Sequence, residues 1–447
     1  MPSLPSNILH ILLPFANIFV LHKTFSKAIT LMMGALLCRR GVTVCSALRA
    51  VGLHFEKRFS RYHRLLNRDR WNMLQGAKTL LLILLRLFNS NSVITFALDD
   101  TLERRRGCKI QAKGRFKDAI LSSATGKIVV CPGLRWMPVM LLTPVSFIGR
   151  IVALPFLTML IPSEKRQKEL KQKYYSPQKR AIQVVCLLRR WFPSQKLRLV
   201  VDAGYASVEL AKQCIRRRVS LVTRLRAGTR LFEFAPPRTG KKGRPATKGA
   251  RLNFQAMIPL LTWNRHAVKS YGKKEEDKDI AEFVCLWAPS EGGNPIPVRV
   301  IVVRSLDGVL FTLLTTDLEM PVKEVVELYI TRWTQEVTHR EVRDHLGMET
   351  QRQWSNLAIA RTTPLIFALY SLTFIMASQL NISLPLKAAQ TAWYNKSALT
   401  FSDLLNAVRG ILREHLFSRL WATDPILQKF PPSKELFEGV LRLAEVA

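Results

Sequence analysis

Acidic residues are scarce in this chain. Asp and Glu number 32 against 68 Lys and Arg, which leaves a formal net charge of +36 over 447 residues. An excess of one sign this large repels itself unless a partner neutralises it, and a polyanion is the natural partner. Nucleic acid is the first reading and an anionic membrane surface the second. Cysteine is scarce too: Cys38, Cys45, Cys108, Cys131, Cys186, Cys214 and Cys285 make an odd count, and no two are spaced C-x-x-C. That pattern argues against a disulfide framework and a zinc site, and it fits a reducing cytoplasm. Long apolar runs are missing as well. Leu365 to Ala377 is shorter than the roughly 20 residues of a spanning helix. Met137 to Pro162 is interrupted by Arg150 and punctuated by Pro138, Pro144 and Pro155. Residues 8–21 follow no positive cluster and make a poor signal peptide. All three read as buried core, so no membrane partner is expected, and the chain shows no internal repeat.

What is present begins with helices. Thr24 to Arg40 carries apolar residues at helical spacing, and Gly41 ends it. Thr43 is placed to cap a short helix, Val44 to Ala50, which Gly52 closes. A third helix is expected from about Lys57 to Leu87, opening with Lys57, Arg58, Arg61, Arg64, Arg68 and Arg70. Short helix, tight turn and basic helix make the layout of a helix-turn-helix reader, with Arg61, Arg64 and Arg68 as DNA contacts. An ordinary helical bundle with a solvated basic face has the same pattern.

The period changes at residue 93. Val93 to Leu98 is a short β-branched and aromatic run that suits a buried strand, and Asp99 and Asp100 stand at its end. Lys127 to Val130 reads as another strand, and Glu164 to Arg190 as a basic helix. Leu197 to Val201 is a second buried strand ending in Asp202; a helix from Ser207 to Arg217 and a strand from Val219 to Leu225 follow. Residues 227–315 form a β-rich insertion, with strands at Ala281 to Leu286, Val298 to Val303 and Val309 to Leu314. Its stretch from Phe232 to Arg251, rich in Pro, Gly, Lys and Arg, is expected to be an exposed loop. Pro321 opens a long helix to about Leu346, with Gly347 past its end. The remainder reads as helices.

A carboxylate at the end of a buried strand is costly unless a charge meets it, and a divalent ion meets it with a preference for carboxylate oxygen. For Asp202 the plainer reading is a helix cap; for Asp99, a turn. The long helix adds a second signal. Tyr329, Arg332, Glu336 and Arg343 fall within roughly 60° of one another at ~3.6 residues per turn, so one face offers a phenol, two guanidiniums and an acid. Glu341 sits about 120° round the helix from Tyr329. Intrahelical ion pairing, Arg332 to Glu336, is the plain alternative for that face.

The spacing Tyr329-x2-Arg332-x3-Glu336-x6-Arg343 resembles the Tyr-x2-Arg-x3-Glu-x6-Lys signature of bacterial insertion-sequence transposases of the DDE class, departing from it only in Arg for Lys at the last position. Leu98-Asp-Asp-Thr101 and Val201-Asp-Ala-Gly-Tyr205 resemble the family's first and second acid motifs. The likeness runs over about residues 93–380. It implies an α/β fold: an RNase H-like mixed sheet with flanking helices, interrupted by the β-rich insertion and preceded by a helical DNA-binding domain. It also implies that Asp99, Asp202 and Glu336 are catalytic and bind two Mg²⁺ ions, for which Mn²⁺ substitutes. Tyr329, Arg332 and Arg343 would contact phosphates near the cut. Spacing leaves open whether Asp99 or Asp100 is the first ligand; the family pattern selects Asp99.

The expected organisation is a helix-turn-helix-like domain at 1–88, the catalytic core at 89–226 and 316–385, the insertion at 227–315 and a helical region at 386–447. The expected partners are double-stranded DNA, as element ends and target, and further copies of the chain in a synaptic complex, on the nucleoid in the bacterial cytoplasm. Lys242-Gly-Arg244-Pro245 resembles a minor-groove hook and marks Lys242 and Arg244 as DNA contacts; a basic solvated loop is the plain alternative. Trp263 and Trp287 are candidates for stacking on an unpaired base or for core packing.

Overall fold

The computed structural model describes residues 5–39, 41–89, 92–226, 228–237, 246–269, 275–289, 292–305, 308–383, 385–388 and 390–423. Five helices come first: α1 (Ser6–Leu12), α2 (His22–Leu37), α3 (Val44–Ala50), α4 (Ser60–Asn67) and α5 (Met73–Phe88). Thr43 caps α3 as expected: its hydroxyl accepts from the Ser46 amide while Ser46 Oγ accepts from the Thr43 amide. Gly41 and Gly52 flank the pair at φ +59° and +77°, a region glycine enters without steric cost.

The single helix expected from Lys57 to Leu87 is two helices. Lys57 and Arg58 lie before α4, and the chain breaks between Arg68 and Asn72. The break is stabilised locally: the Trp71 indole donates to the Leu65 carbonyl, and Asn72 Oδ1 accepts from the Gln75 amide to start α5. Arg61 folds back on Glu56 at 2.6 Å, while Arg64 and Arg68 are exposed. The apolar sides of α2 and α5 belong to the same continuous core as the sheet that follows.

That sheet contains β1 (Val93–Leu98), β2 (Thr101–Arg104), β3 (Gly114–Lys117), β4 (Val130–Val145), β5 (Arg150–Leu160), β6 (Lys196–Val201) and β7 (Val219–Arg224), with α6 (Ala119–Thr125), α7 (Glu164–Glu169), α8 (Pro177–Trp191) and α9 (Val208–Arg216) between them. β1, β6 and β7 are parallel neighbours, whereas β4 runs antiparallel to β1 and forms a hairpin with β5. Parallel neighbours buried on both faces explain the unbroken apolar runs of β1 and β6.

Two further expected elements differ. The strand expected at Lys127 to Val130 starts at Val130 and runs to Val145. The helix expected from Glu164 to Arg190 divides into α7 and α8, because Ser176 caps a new helix with Pro177 at its first position.

The insertion supplies β8 (Leu231–Phe232), α10 (Phe254–Met257), β9 (Asn264–Lys269), β10 (Glu275–Trp287), β11 (Ile296–Arg304) and β12 (Leu310–Thr315). β12 pairs with β7, and β11, β10 and β8 follow outward, so one 12-stranded mixed sheet spans core and insertion. Lys242 and Arg244 lie outside the described residues. Trp287 is buried, and the Arg304 guanidinium covers the Trp263 ring at 3.9 Å.

The long helix after Pro321 is α11 (Val322–Thr331) and α12 (Trp333–His345), separated by a tighter turn at Arg332, where Gln335 N donates to Arg332 O. Then come α13 (Asn356–Ser383) and, after a two-stranded β13 (Gln390–Thr391) and β14 (Tyr394–Asn395), α14 (Phe401–Thr423). α13 is long and apolar enough to cross a membrane by composition, but most of it is packed inside the protein. The fold is therefore α/β: an RNase H-like mixed sheet with flanking helices, led by a helical segment.

Candidate active site

The strand-end acids are set by the sheet. Leu98 pairs with Val139 and Thr101 with Trp136 on β4, so Asp99 and Asp100 fall opposite Pro138 and Met137. Proline has no amide to donate to a ladder, and β1 gives way to β2 there. Successive residues of an extended chain point to opposite faces. Asp100 therefore shares a face with Arg135, whose Nε and Nη2 hold its carboxylate at 2.6 and 2.8 Å, and the Tyr205 hydroxyl donates to it at 2.9 Å. Asp99 and Thr101 share the other face, toward α12. Arg332 Nη1 comes within 3.6 Å of Asp99 Oδ2.

Asp202 ends β6 beside them, since β1 and β6 are parallel and in register through Leu98 and Val201. Its side chain also accepts from the Gly204 amide at 3.4 Å, the cap that the sequence suggested as the plain alternative. Glu336, one turn past Arg332, accepts from Arg332 Nη2 at 2.9 Å. Arg332 thus touches both Asp99 and Glu336, and its ring-side neighbour is Tyr329, 5.7 Å from the guanidinium carbon. Glu341 is elsewhere, paired with His345 at 3.1 Å.

The electrostatics follow from this crowding. Burial, the charge of Asp100 and, more weakly, Asp202 push the Asp99 carboxyl up to about 7 against the opposing pull of Arg332. Burial disfavours the Arg332 cation, but Tyr329, Asp99, Glu336 and Asp202 outweigh it and hold Arg332 more firmly protonated. Burial and the Asp202 charge raise the Tyr329 phenol. Among the described residues no three acids are gathered closely enough to share one ion as they stand. The Arg332 guanidinium lies between two of them. The chemistry of the donor set, three carboxylates, fits a hard divalent cation.

Arg343 is turned inward. Its Nη2 donates to the Leu102 carbonyl at 3.1 Å and to Thr101 Oγ1 at 3.3 Å, and its Nε lies 3.5 Å from Glu349. Arg135, Tyr205 and Glu349 lie outside the site residues that the sequence marks. Tyr205 belongs to the Asp-Ala-Gly-Tyr motif, but nothing local marks Arg135 or Glu349, which reach the site across the sheet and past a helix end.

No curated protein sequence matches the chain. Among solved structures, the cryo-EM structure of a piggyBac transposase synaptic complex with hairpin DNA is similar over 94% of this chain and 77% of that chain, at 11% identity and a TM-score of 0.43. The sequence profile described as "DDE superfamily endonuclease" matches residues 14–276, more than half of the 447. That span includes Asp99 and Asp202 and ends before Glu336. By this match the chain belongs to the DDE superfamily endonuclease family.

Proposed function

We propose that the chain is a DNA transposase that cuts DNA at the ends of a mobile element and joins the freed 3′ ends to target DNA. The observation that carries this reading is the convergence on Arg332: one guanidinium contacts Asp99 and Glu336, from distant parts of the chain, beside the end of the strand that carries Asp202. Asp99, Asp202 and Glu336 are the residues to hold the divalent ions, Mg²⁺ or Mn²⁺, whose chemistry when bound is to activate the attacking oxygen and stabilise the leaving one.

The chain's own groups do the rest. Arg332, released from the two acids, offers a planar fork to a phosphate of the scissile strand. Tyr329, its phenol pushed further above an ordinary value that already keeps it protonated at neutral pH, donates to a neighbouring phosphate oxygen. Asp100, fastened by Arg135 and Tyr205, holds the chain so that Asp99 faces the helix. Exposed Arg64 and Arg68, with Arg61, belong in this reading to the surface that reads element ends, and Lys242 and Arg244 to a groove-tracking loop. Two copies or more would assemble with paired ends, in a bacterial cytoplasm.

The test uses the full chain with labelled DNA bearing the element end. Metal-dependent cleavage that is lost in Asp99→Asn, Asp202→Asn and Glu336→Gln, with end binding retained, is the expected result; Glu341→Gln should cut normally. Transfer of a precut end into target DNA identifies a transposase. Cleavage without transfer would make it a nuclease, and binding with no cleavage under any metal would make it a non-catalytic DNA-binding relative.

A further inference from the structure

β1 and β2 pair with successive stretches of the same long strand, β4. β6 covers the far side of β1 but ends at Val201, and among the described residues β2 has no strand beyond it. Alternate residues of an antiparallel strand direct their backbone groups to the same side, where the next strand would bond them. On β2 those places are taken by two side chains. The Leu102 carbonyl accepts from Arg343 Nη2 at 3.1 Å, and the Arg104 amide donates to Glu349 Oε1 at 3.1 Å. Arg343 and Glu349 also face each other at 3.5 Å, and Arg104 Nη1 donates to both Glu349 oxygens at 3.3 Å. Asp118, which caps α6, secures Arg104 in turn at 2.7 and 3.1 Å.

The chain bends to make this possible. Gly347 at φ +71° ends α12, and Glu349 sits at φ +77°, a conformation that side-chain-bearing residues seldom adopt and that is held only where the surroundings require it. The side chains of Arg343 and Glu349 are only 17% and 20% exposed, so neither presents its charge freely to solvent.

We propose that Arg343 and Glu349 are positioning residues: together they fasten the helix bearing Glu336 to the strand leading away from Asp99, and so set the spacing of those two acids. Arg343 is then engaged inside the protein and is not a phosphate contact. The inference rests on the reading of Asp99 and Glu336 as members of one metal-binding set.

The experiment compares Arg343→Gln, Arg343→Lys and Glu349→Gln with the parent chain, after thermal melts have shown which variants fold. Three quantities are read: DNA-end affinity between about 50 and 200 mM salt, single-turnover cleavage at saturating protein, and Mn²⁺ affinity of the DNA-free protein by electron paramagnetic resonance. Both Gln variants should keep the parent's DNA affinity and salt slope within about twofold. They should cut about 10- to 100-fold more slowly, as expected for a small misplacement of reacting groups, and bind Mn²⁺ more weakly. Arg343→Lys should recover part of the rate, since an ammonium reaches one acceptor but has no fork.

Where Arg343→Gln does not fold, Glu349→Gln carries the test, because it removes an acid and has no phosphate-binding explanation. Glu349→Gln cutting and binding Mn²⁺ like the parent would overturn the proposal. So would Arg343→Gln losing DNA affinity while cutting at the parent rate once saturated. A parent chain that neither binds Mn²⁺ nor cuts DNA would instead refute the functional reading on which the proposal rests.

Discussion

Asp99 and Asp100 show how much a one-residue step decides on an extended chain. One carboxylate is bound by Arg135 and Tyr205, while the other meets Arg332 on the opposite face. His339, three residues after Glu336, gives a residue-level test of the helix that carries that acid. It is buried, its ring meets Phe367 edge-on and its Nε2 has no hydrogen-bond partner among the described residues. Burial, with Arg343 and Arg332 adding to it and Asp100 opposing, lowers its pKa from 6.5 to about 3. The unfolded chain therefore binds a proton that the folded chain refuses. The stability His339 contributes is complete above pH 6.5 and is lost as pH falls from there toward 3, at about 1.4 kcal/mol per pH unit. His339→Phe should flatten the acid limb of a stability-versus-pH curve measured by denaturant melts. An unchanged limb would mean that the ring is accessible to protons in the folded state.

Among the elements, the packing of α2 on α3 depends on one glycine. A Cβ at Gly34 would lie 2.1 Å from the Ala47 carbonyl oxygen, a backbone atom that cannot turn aside. Gly34→Ala must separate the two helices, and overpacking of this kind costs about 1–3 kcal/mol. A lower thermal midpoint with unchanged DNA salt slope is the expected result; a midpoint equal to the parent's would show that the helices are less closely packed. α2 and α3 are legible in the sequence, and Thr43 caps α3 as its residue type suggests. The break between α4 and α5 was not, because Trp71 and Leu65 become partners only once the chain turns. The insertion strands were recognisable from their β-branched runs. Their union with β7 was not, since any strand edge satisfies the same backbone groups.

At the scale of the molecule, α1, α2 and α5 share one apolar core with the sheet, while α3 and α4 pack with Ala358 of α13 in a second cluster. Removing residues 1–88 would expose that core, so their part in DNA recognition is better tested by Arg64→Ala and Arg68→Ala, which alter exposed side chains only. The excess of 68 basic over 32 acidic residues predicts a steep salt response of the parent chain. With 6–10 phosphate contacts, affinity should fall about 10³–10⁵-fold between roughly 50 and 200 mM salt. Each arginine substitution should reduce the logarithmic slope by about one if that residue meets a phosphate. A flat response in the parent would reject the polyanion reading of its charge.

The sequence by itself determined the charge excess, the short buried strands ending in Asp99 and Asp202, and the face shared by Tyr329, Arg332 and Glu336. These follow from composition and from periods of two and 3.6 residues, which are local properties. Only the tertiary structure decided the partners. Arg135 takes Asp100 because the β4 register brings it to the same face, and Arg332 stands between Asp99 and Glu336 because α12 lies over the opposite one. Arg343 illustrates the division most plainly. Its position on the helix suggested a phosphate contact, whereas the open edge of β2 offers it a carbonyl and a carboxylate within the protein. A motif specifies which charges share a face. Which of them remain available to a ligand depends on the unpaired backbone groups and acids that folding brings into reach.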